Sequence, residues 1–320
     1  MEATKKPAQK EHVLTLKERL NIIRESRYFL MVFPFAMLAV IVLVFTAATQ
    51  GQFFRMSVFT SIFSQAVIIG TCATGVSFIY SNGNLDISIG SVLGLSATLG
   101  VMVFTATGNA ALMIIVMILA ALLLMAFNCT MSVVCHIKTI TVAIVVTQIY
   151  GAISTLLIGG TGSIDIDYNV AVQLEDGGFR YISFILYFVF CIVLYHLTRV
   201  GRELRFLGGN ENCAVQTGIS NARATYISFL VTGLGVETGN NLGMDVMLAT
   251  VLGGMSIFGG ARSNAYAGIL GALTVAALNT GLLMAGVSSA WIQGIRGIIF
   301  LILVWMNSER QALLPSRVQF

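Results

Sequence analysis

Two carboxylates stand almost alone in long apolar stretches of this sequence. Asp86 lies within Ser81-Asn-Gly-Asn-Leu-Asp-Ile-Ser-Ile-Gly-Ser91, where Asn82, Asn84, Asp86, Ser88 and Ser91 crowd a connection that a tight turn would complete. A carboxylate at the head of the following helix accepts hydrogen bonds from its first free amides and opposes its dipole. The same group can instead mark a broken helix that sets polar atoms beside a solute pathway. Both readings stand on the sequence. Asp245 repeats the pattern: Val92-Leu93-Gly94 follows Asp86, and Val251-Leu252-Gly253 follows Asp245 at the same interval. Uncharged hydrogen-bonding side chains are scattered through other apolar runs: Asn128, Thr141, Thr147, Gln148, Asn279 and Gln293. Such groups, with apolar faces between them, suit a neutral hydroxylated solute. Each serves equally well as an interhelical hydrogen bond worth about 0.6 kcal/mol.

Two further segments carry polar or glycine-rich patterns. Thr198-Arg-Val-Gly-Arg-Glu-Leu-Arg-Phe-Leu-Gly-Gly-Asn-Glu211, running on to Thr217-Gly-Ile-Ser220, is the long polar interruption between apolar runs. Its Gly208-Gly209 pair predicts a break, Asn210 a helix cap, and the following residues a short helix at the membrane surface. Apolar Cys213, Ala214, Val215 and Ile219 on that helix call for a cover, so a docking element is preferred over a merely solvated loop. Val251-Leu-Gly-Gly-Met-Ser-Ile-Phe-Gly-Gly260 carries two glycine pairs, which permit close backbone approach or a tight turn.

Several chemistries lack their residues. There is no GxxxxGK[ST] phosphate loop, so the chain is not an ATPase. His12, His136 and His196 are not spaced for a metal site, and no GxSxG or paired catalytic carboxylates occur within the spans. The five cysteines include no CxxC pair and read as small apolar residues. No cofactor is expected, and neither is nucleic acid as a partner.

The elements that must position these groups are membrane helices. Of 320 residues 57% are hydrophobic and 10% charged, and the mean hydropathy is +0.88. A soluble domain carries roughly a quarter charged residues. A crossing takes about 20 apolar residues. Runs of that length begin near Tyr28, Val58, Leu85, Ala111, Thr139, Tyr181, Asn264 and Ser288, and a shorter pair occupies Tyr226 to Phe258. The expected fold is all-α and polytopic, with about ten transmembrane helices. The basic, polar start at residues 1–27 is expected not to be a signal peptide.

Lys and Arg orient the spans. Seven cations precede Tyr28; Lys138, Arg199, Arg202, Arg205, Arg223, Arg262, Arg310 and Arg317 follow even-numbered spans. Fifteen of eighteen therefore fall on one face, while the opposite loop from Thr161 to Arg180 carries Asp165, Asp167, Glu175 and Asp176. Both termini are expected in the cytoplasm, with a segment 1–27, a transmembrane domain 28–306 containing a cytoplasmic loop 199–224, and a tail 307–320. Arg296 is the charge deepest in a long span, and the last helix would let it snorkel toward the cytoplasm. Under this topology Asp86 and Asp245 start from opposite faces, as in an inverted repeat of two halves.

One stretch is too short. Between Arg223 and Arg262 lie 38 residues, whereas two full spans need about 40 before any turn. Gly233, Gly235, Gly239, Asn240, Asn241 and Gly243 also break helix there. The expectation is either a chain discontinuity near Gly233–Val236, the preferred reading, or a re-entrant pair meeting inside the membrane.

The order NLDISIGS, TRVGRELRFLGGNE…TGIS, VLGGMSIFGG…GVSS, with a cation in the last span, resembles the ribose/galactose-type ABC permeases, importers of monosaccharides and autoinducers, from about Gly70 to Trp305. The resemblance implies an inner-membrane transport subunit that is not an enzyme, passing a small sugar or polyol. It further implies a second permease chain (identical or a paralogue), a cytoplasmic ATPase subunit touching Arg205, Gly208, Gly209, Asn210 and Glu211, and an extracytoplasmic sugar-binding protein. Asn84, Asp86, Ser88, Asn128, Gln148, Asp245, Asn279 and Gln293 are the candidates for the pathway or for helix breaks. Two departures accompany it. The family has about one helix more chain between the segments like Thr225–Gly233 and Asn240–Gly254, and a Gly-Gly or Gly-Thr turn where this chain has Asn82-Gly-Asn84. The alternative is an ATP-independent secondary transporter or channel, which would bury ionisable groups mid-span to bind a coupling ion.

Overall fold

The computed structural model describes residues 27–159, 178–235, 242–255, 259, 263 and 265–312. The cations before Arg27, the acidic residues Asp165, Asp167, Glu175 and Asp176, residues 236–241, Arg262 and Arg317 lie outside the described residues.

Every regular element described is helical: α1 Arg27–Ala48, α2 Met56–Ser81, α3 Ile89–Thr107, α4 Ala110–Val134, α5 Thr139–Leu157, α6 Phe179–Ile192, α7 Arg199–Gly209, α8 Glu211–Gln216, α9 Asn221–Leu234, α10 Leu242–Leu252, α11 Ala267–Met284 and α12 Ser289–Ala312. A short 3₁₀ turn precedes α2, and α6 continues as a π-helical turn over Val193–Leu197. Among the described residues six helices are long and apolar enough to cross a bilayer: α2, α3, α4, α5, α6 with its π-turn, and α11. Shorter apolar stretches fall in α1, α10 and α12. The protein is a multi-pass membrane protein. Its outer helical faces are correspondingly apolar, with Leu43, Leu123, Leu156, Leu186 and Leu301 all well exposed.

The helices stop and start where local chemistry permits. Asn109 caps α4, its Oδ1 accepting from the amides of Ala111 (3.0 Å) and Leu112 (3.2 Å). Ser220 caps α9 through the Arg223 amide at 3.3 Å. These bonds satisfy orphan amides at helix starts. The centre is α2, buried almost continuously from Ala66 to Ser81. It packs against α11, α9 and α10, while α4 packs against α3 and α9. Hydroxyls tie these neighbours: Thr232 donates to the Gly75 carbonyl (2.9 Å), and Thr130 pairs with Tyr226 (2.9 Å).

Two expectations are revised. The span expected from Leu85 starts as helix only at Ile89, because Asn82–Ser88 is a non-helical connection. Helix α7 runs straight through Gly208-Gly209, and the break falls at Asn210, whose φ of −161° is extended. The stretch read as too short for two full spans forms two short helices, Asn221–Leu234 and Leu242–Leu252, of 14 and 11 residues. The expected discontinuity near Gly233–Val236 reaches into residues 236–241, outside the described residues.

Candidate functional site

The heads of α3 and α10 meet at glycine. A Cβ on Gly90 would sit 2.8 Å from the Gly243 nitrogen and 2.9 Å from its Cα. Only glycine at both positions allows this backbone contact. Beside it lies a cavity of about 620 Å³ between α3, α5, α10 and α12, within the range of small-molecule sites. Ser91, Thr147, Ser154, Thr155, Gln293 and Arg296 present polar groups to it, and Ile87, Ile158 and Met244 apolar ones. Ser154 is fixed by Thr98 at 2.8 Å. The wall thus offers hydroxyls, one amide and one cation, set between two helix N-termini whose partial charge is positive.

Arg296 does not snorkel. Its guanidinium turns inward from α12 and pairs with Asp245 on α10. Asn279 on α11 donates to the other carboxylate oxygen at 3.2 Å. Three helices are therefore tied by one buried charged cluster, and Arg296 faces both that cluster and the cavity. Burying two charges is costly unless they are paired and hydrogen-bonded, so the pairing dictates the rotamer. The signal was in the sequence, since Asp245 and Arg296 are oppositely charged residues in otherwise apolar helices, but nothing in their spacing joined them.

Asp86 does something different. The cap position of α3 falls on Ser88, whose side chain makes no capping bond. Asp86 Oδ1 accepts from the Ser88 amide (2.7 Å) and hydroxyl (2.6 Å), two residues on, holding the connection ahead of the helix. Ser88 Oγ in turn accepts from Asn128 (2.7 Å), and Asn128 Oδ1 accepts from Tyr150 (2.8 Å). This buried chain links the break to α4 and α5; Tyr150 was not singled out by sequence. Asp86 Oδ2 is buried without a hydrogen-bond partner among the described residues.

The sequence-derived candidates therefore separate. Gln293 lines the cavity; Asp245 and Asn279 stand behind it; Asp86, Ser88 and Asn128 form the neighbouring network. Asn84 accepts from Thr139 at 3.1 Å, at the α4–α5 turn. Gln148 and Thr141 lie on the exposed face of α5, and Thr147, one residue away, lines the cavity in place of Gln148. Asp86 precedes its helix, whereas Asp245 lies within the first turn of α10.

A second polar surface is built by α7 and α8. Helix α7 buries Gly201, Leu204 and Leu207 and exposes Phe206 and Arg202. Asn210 caps α8 through the Cys213 amide at 3.1 Å, and Glu211 accepts from Asn221. Arg202, Arg205, Phe206, Gly209 and Asn210 line an open groove of about 420 Å³. Ala214 is covered by the chain itself, while Cys213 and Val215 stay exposed.

The family described as "Branched-chain amino acid transport system / permease component" matches residues 58–235. The ribose import permease protein RbsC of Bacillus subtilis (strain 168) is 25% identical over 301 residues, covering 87% of this chain and 93% of that protein. RbsC of Escherichia coli (strain K12) is 26% identical, covering 86% and 94%. The autoinducer 2 import system permease protein LsrC of Salmonella paratyphi B is 28% identical, covering 87% and 86%. The 301-position alignment is longer than the 87% of this 320-residue chain that takes part in it, so the chain runs short of that relative inside the aligned stretch. No solved structure matches.

Proposed function

The chain belongs to the family of branched-chain amino acid transport system permease components, and on that premise we propose that it translocates a small sugar or related polyol through the cavity between α3, α5, α10 and α12. As a permease component it moves solute and is not itself a catalyst. The observation that carries the substrate reading is the wall of that cavity, in which hydroxyls of Ser91, Thr147, Ser154 and Thr155 and the Gln293 amide alternate with apolar side chains. Hydroxylated solutes are held by such groups. The names of the similar proteins, import permeases for ribose and autoinducer 2, point to the same chemical class.

The remaining parts follow the importer plan. An ABC ATPase docks on the groove of α7 and α8, through Arg205, Gly208, Gly209, Asn210 and Glu211. An extracytoplasmic binding protein delivers the solute, and a second permease chain, identical or a paralogue, completes the pathway. Both termini lie in the cytoplasm and about ten segments enter the membrane, supported by fifteen of eighteen cations falling on one face. The two halves are an inverted repeat. Its support is the symmetric packing of α2 on α11 and α9 on α4, with α3 and α10 meeting head to head. Inward- and outward-facing states are selected by their differential affinity for ATPase and solute.

The buried Asp245–Arg296 pair beside a cavity favours a second reading, an ATP-independent secondary transporter using that pair for ion coupling. Co-purification separates the two. The importer reading expects the detergent-extracted, tagged chain to bring a nucleotide-hydrolysing subunit with it from its native membrane. A chain that purifies alone and moves solute alone favours the second reading.

A further inference from the structure

Tyr195 is a fully buried side chain that neither the cavity nor the groove uses directly. It lies in the π-turn that ends α6, and such turns are frequent at functional sites. Its phenol oxygen is 2.7 Å from the hydroxyl of Ser81, the last residue of α2, and donates to the carbonyl of Ser263, ahead of α11, at 2.9 Å. Its ring stands edge-on to Phe78 of α2, with centroids 5.3 Å apart.

The same ring faces α7. The Arg205 guanidinium lies 5.2 Å from its centroid, a cation–π contact. Arg205 is fixed to its own helix, because its Nε donates to the Gly201 carbonyl at 3.1 Å. Gly201 itself presses on the Tyr195 backbone, where a Cβ would come within 1.8 Å of the Tyr195 carbonyl oxygen. One side chain therefore joins the inner side of the surface helix to the ends of two membrane helices. One of these, α2, leads straight into the Asn82–Ser88 break, whose Ile87 and the following Gly90 line the cavity.

The hydroxyl bonds around Tyr195 also have three arrangements. Ser81 donates to the Ser77 carbonyl at 2.6 Å. Ser81 and Tyr195 carry one hydroxyl proton each, which must serve three contacts: Ser81 with Ser77, Ser81 with Tyr195, and Tyr195 with Ser263. In one arrangement Ser81 donates to Ser77 and Tyr195 to Ser81, leaving Ser263 unserved. In a second Ser81 donates to Tyr195 and Tyr195 to Ser263, leaving Ser77 unserved; in a third each hydroxyl donates to its carbonyl, and the Ser81–Tyr195 contact carries no proton.

We propose that Tyr195 is a positioning residue of the transport cycle, which carries movement of α7 to the ends of α2 and α11 and so to the cavity. This rests on α7 and α8 forming the ATPase-facing surface. Contact alone does not establish coupling, so the test measures coupling itself. The assembled transporter is reconstituted in vesicles with its ATPase and binding protein, and solute moved per ATP hydrolysed is recorded for native chain, Tyr195→Phe, Ser81→Ala and the double variant. Tyr195→Phe keeps the ring, the Phe78 contact and the Arg205 contact, and removes only the hydroxyl. The expected result is that ATP hydrolysis continues while solute moved per ATP falls about tenfold, a size common for linked sites. Ser81→Ala lowers the ratio in the same direction, and the double variant is no worse than Tyr195→Phe. Hydrolysis and transport falling together, with their ratio unchanged, overturns the proposal. If Tyr195→Phe assembles poorly, Ser81→Ala reads the same bond, and a native ratio in it overturns the proposal equally. A native chain that moves solute in vesicles lacking any ATPase contradicts the importer reading instead.

Discussion

At the break between α2 and α3 the buried carboxylate holds backbone, whereas at the head of α10 it holds a cation. Asp86 Oδ1 accepts two hydrogen bonds from Ser88, so its work is to fix a non-helical connection. Asp245 is paired with Arg296 of α12 and bonded to Asn279 of α11, so its work is to tie helices. The two heads touch at Gly90 and Gly243 and share one cavity. The difference teaches that similar sequence neighbourhoods, Asp followed by Val-Leu-Gly, acquire unlike roles once one carboxylate precedes its helix and the other lies inside it.

The ion pair gives the largest expected effect. Arg296→Met leaves Asp245 charged and buried, which costs about 3–5 kcal/mol and should sharply lower the yield and melting temperature of the purified protein. Pairing it with Asp245→Leu should recover most of the stability without recovering transport, because Arg296 also lines the cavity. Recovery of both would reduce the pair to a structural tie. Next comes the glycine contact. Gly90→Leu drives a side chain into the Gly243 backbone, and overpacking of this kind costs about 1–3 kcal/mol, measurable as lost thermal stability. A native melting profile would show that the two heads do not meet.

Asp86 sharpens the contrast through a pair of substitutions. Asp86→Asn keeps an acceptor for Ser88 and should be mild. Asp86→Leu strands the Ser88 amide and hydroxyl, at about 1–3 kcal/mol for unsatisfied buried groups, and should depress both stability and uptake. Equal, native behaviour of both variants would remove Asp86 from the account. The smallest effect is expected at the surface. Asn210→Ala removes the α8 cap, worth about 1 kcal/mol, and should weaken capture of the ATPase with little change in the melting of the membrane helices.

Much of the fold was legible because the length of apolar run that a bilayer demands is a strong, local signal. The apolar runs at Val58, Ala111, Thr139 and Tyr181 became helices within two residues of those starts. Leu85 and Gly208-Gly209 misled for opposite reasons. Leu85 is apolar but sits where Asp86 and Ser88 divert the backbone, and the two glycines were tolerated inside α7 because Leu204 and Leu207 anchor its buried face. The site was only partly legible. Gln293, Asp245 and Asn279 could be picked out as polar residues in apolar surroundings, but helical phase decided between Thr147, which lines the cavity, and Gln148, which does not. The partnerships of Arg296 with Asp245, and of Tyr150 with Asn128, span 51 and 22 positions. Long-range pairings of that kind are fixed by tertiary packing, which no spacing rule encodes.

The central claim is that this chain passes solute as the membrane part of an ATP-driven importer, and uptake into sealed vesicles tests it most directly. Vesicles containing the chain with its co-purified ATPase are given a labelled pentose or a related small polyol and the binding protein, with ATP supplied on the ATPase side or withheld. The account predicts accumulation against a gradient only when ATP and binding protein are both present. Equal uptake without ATP would contradict it.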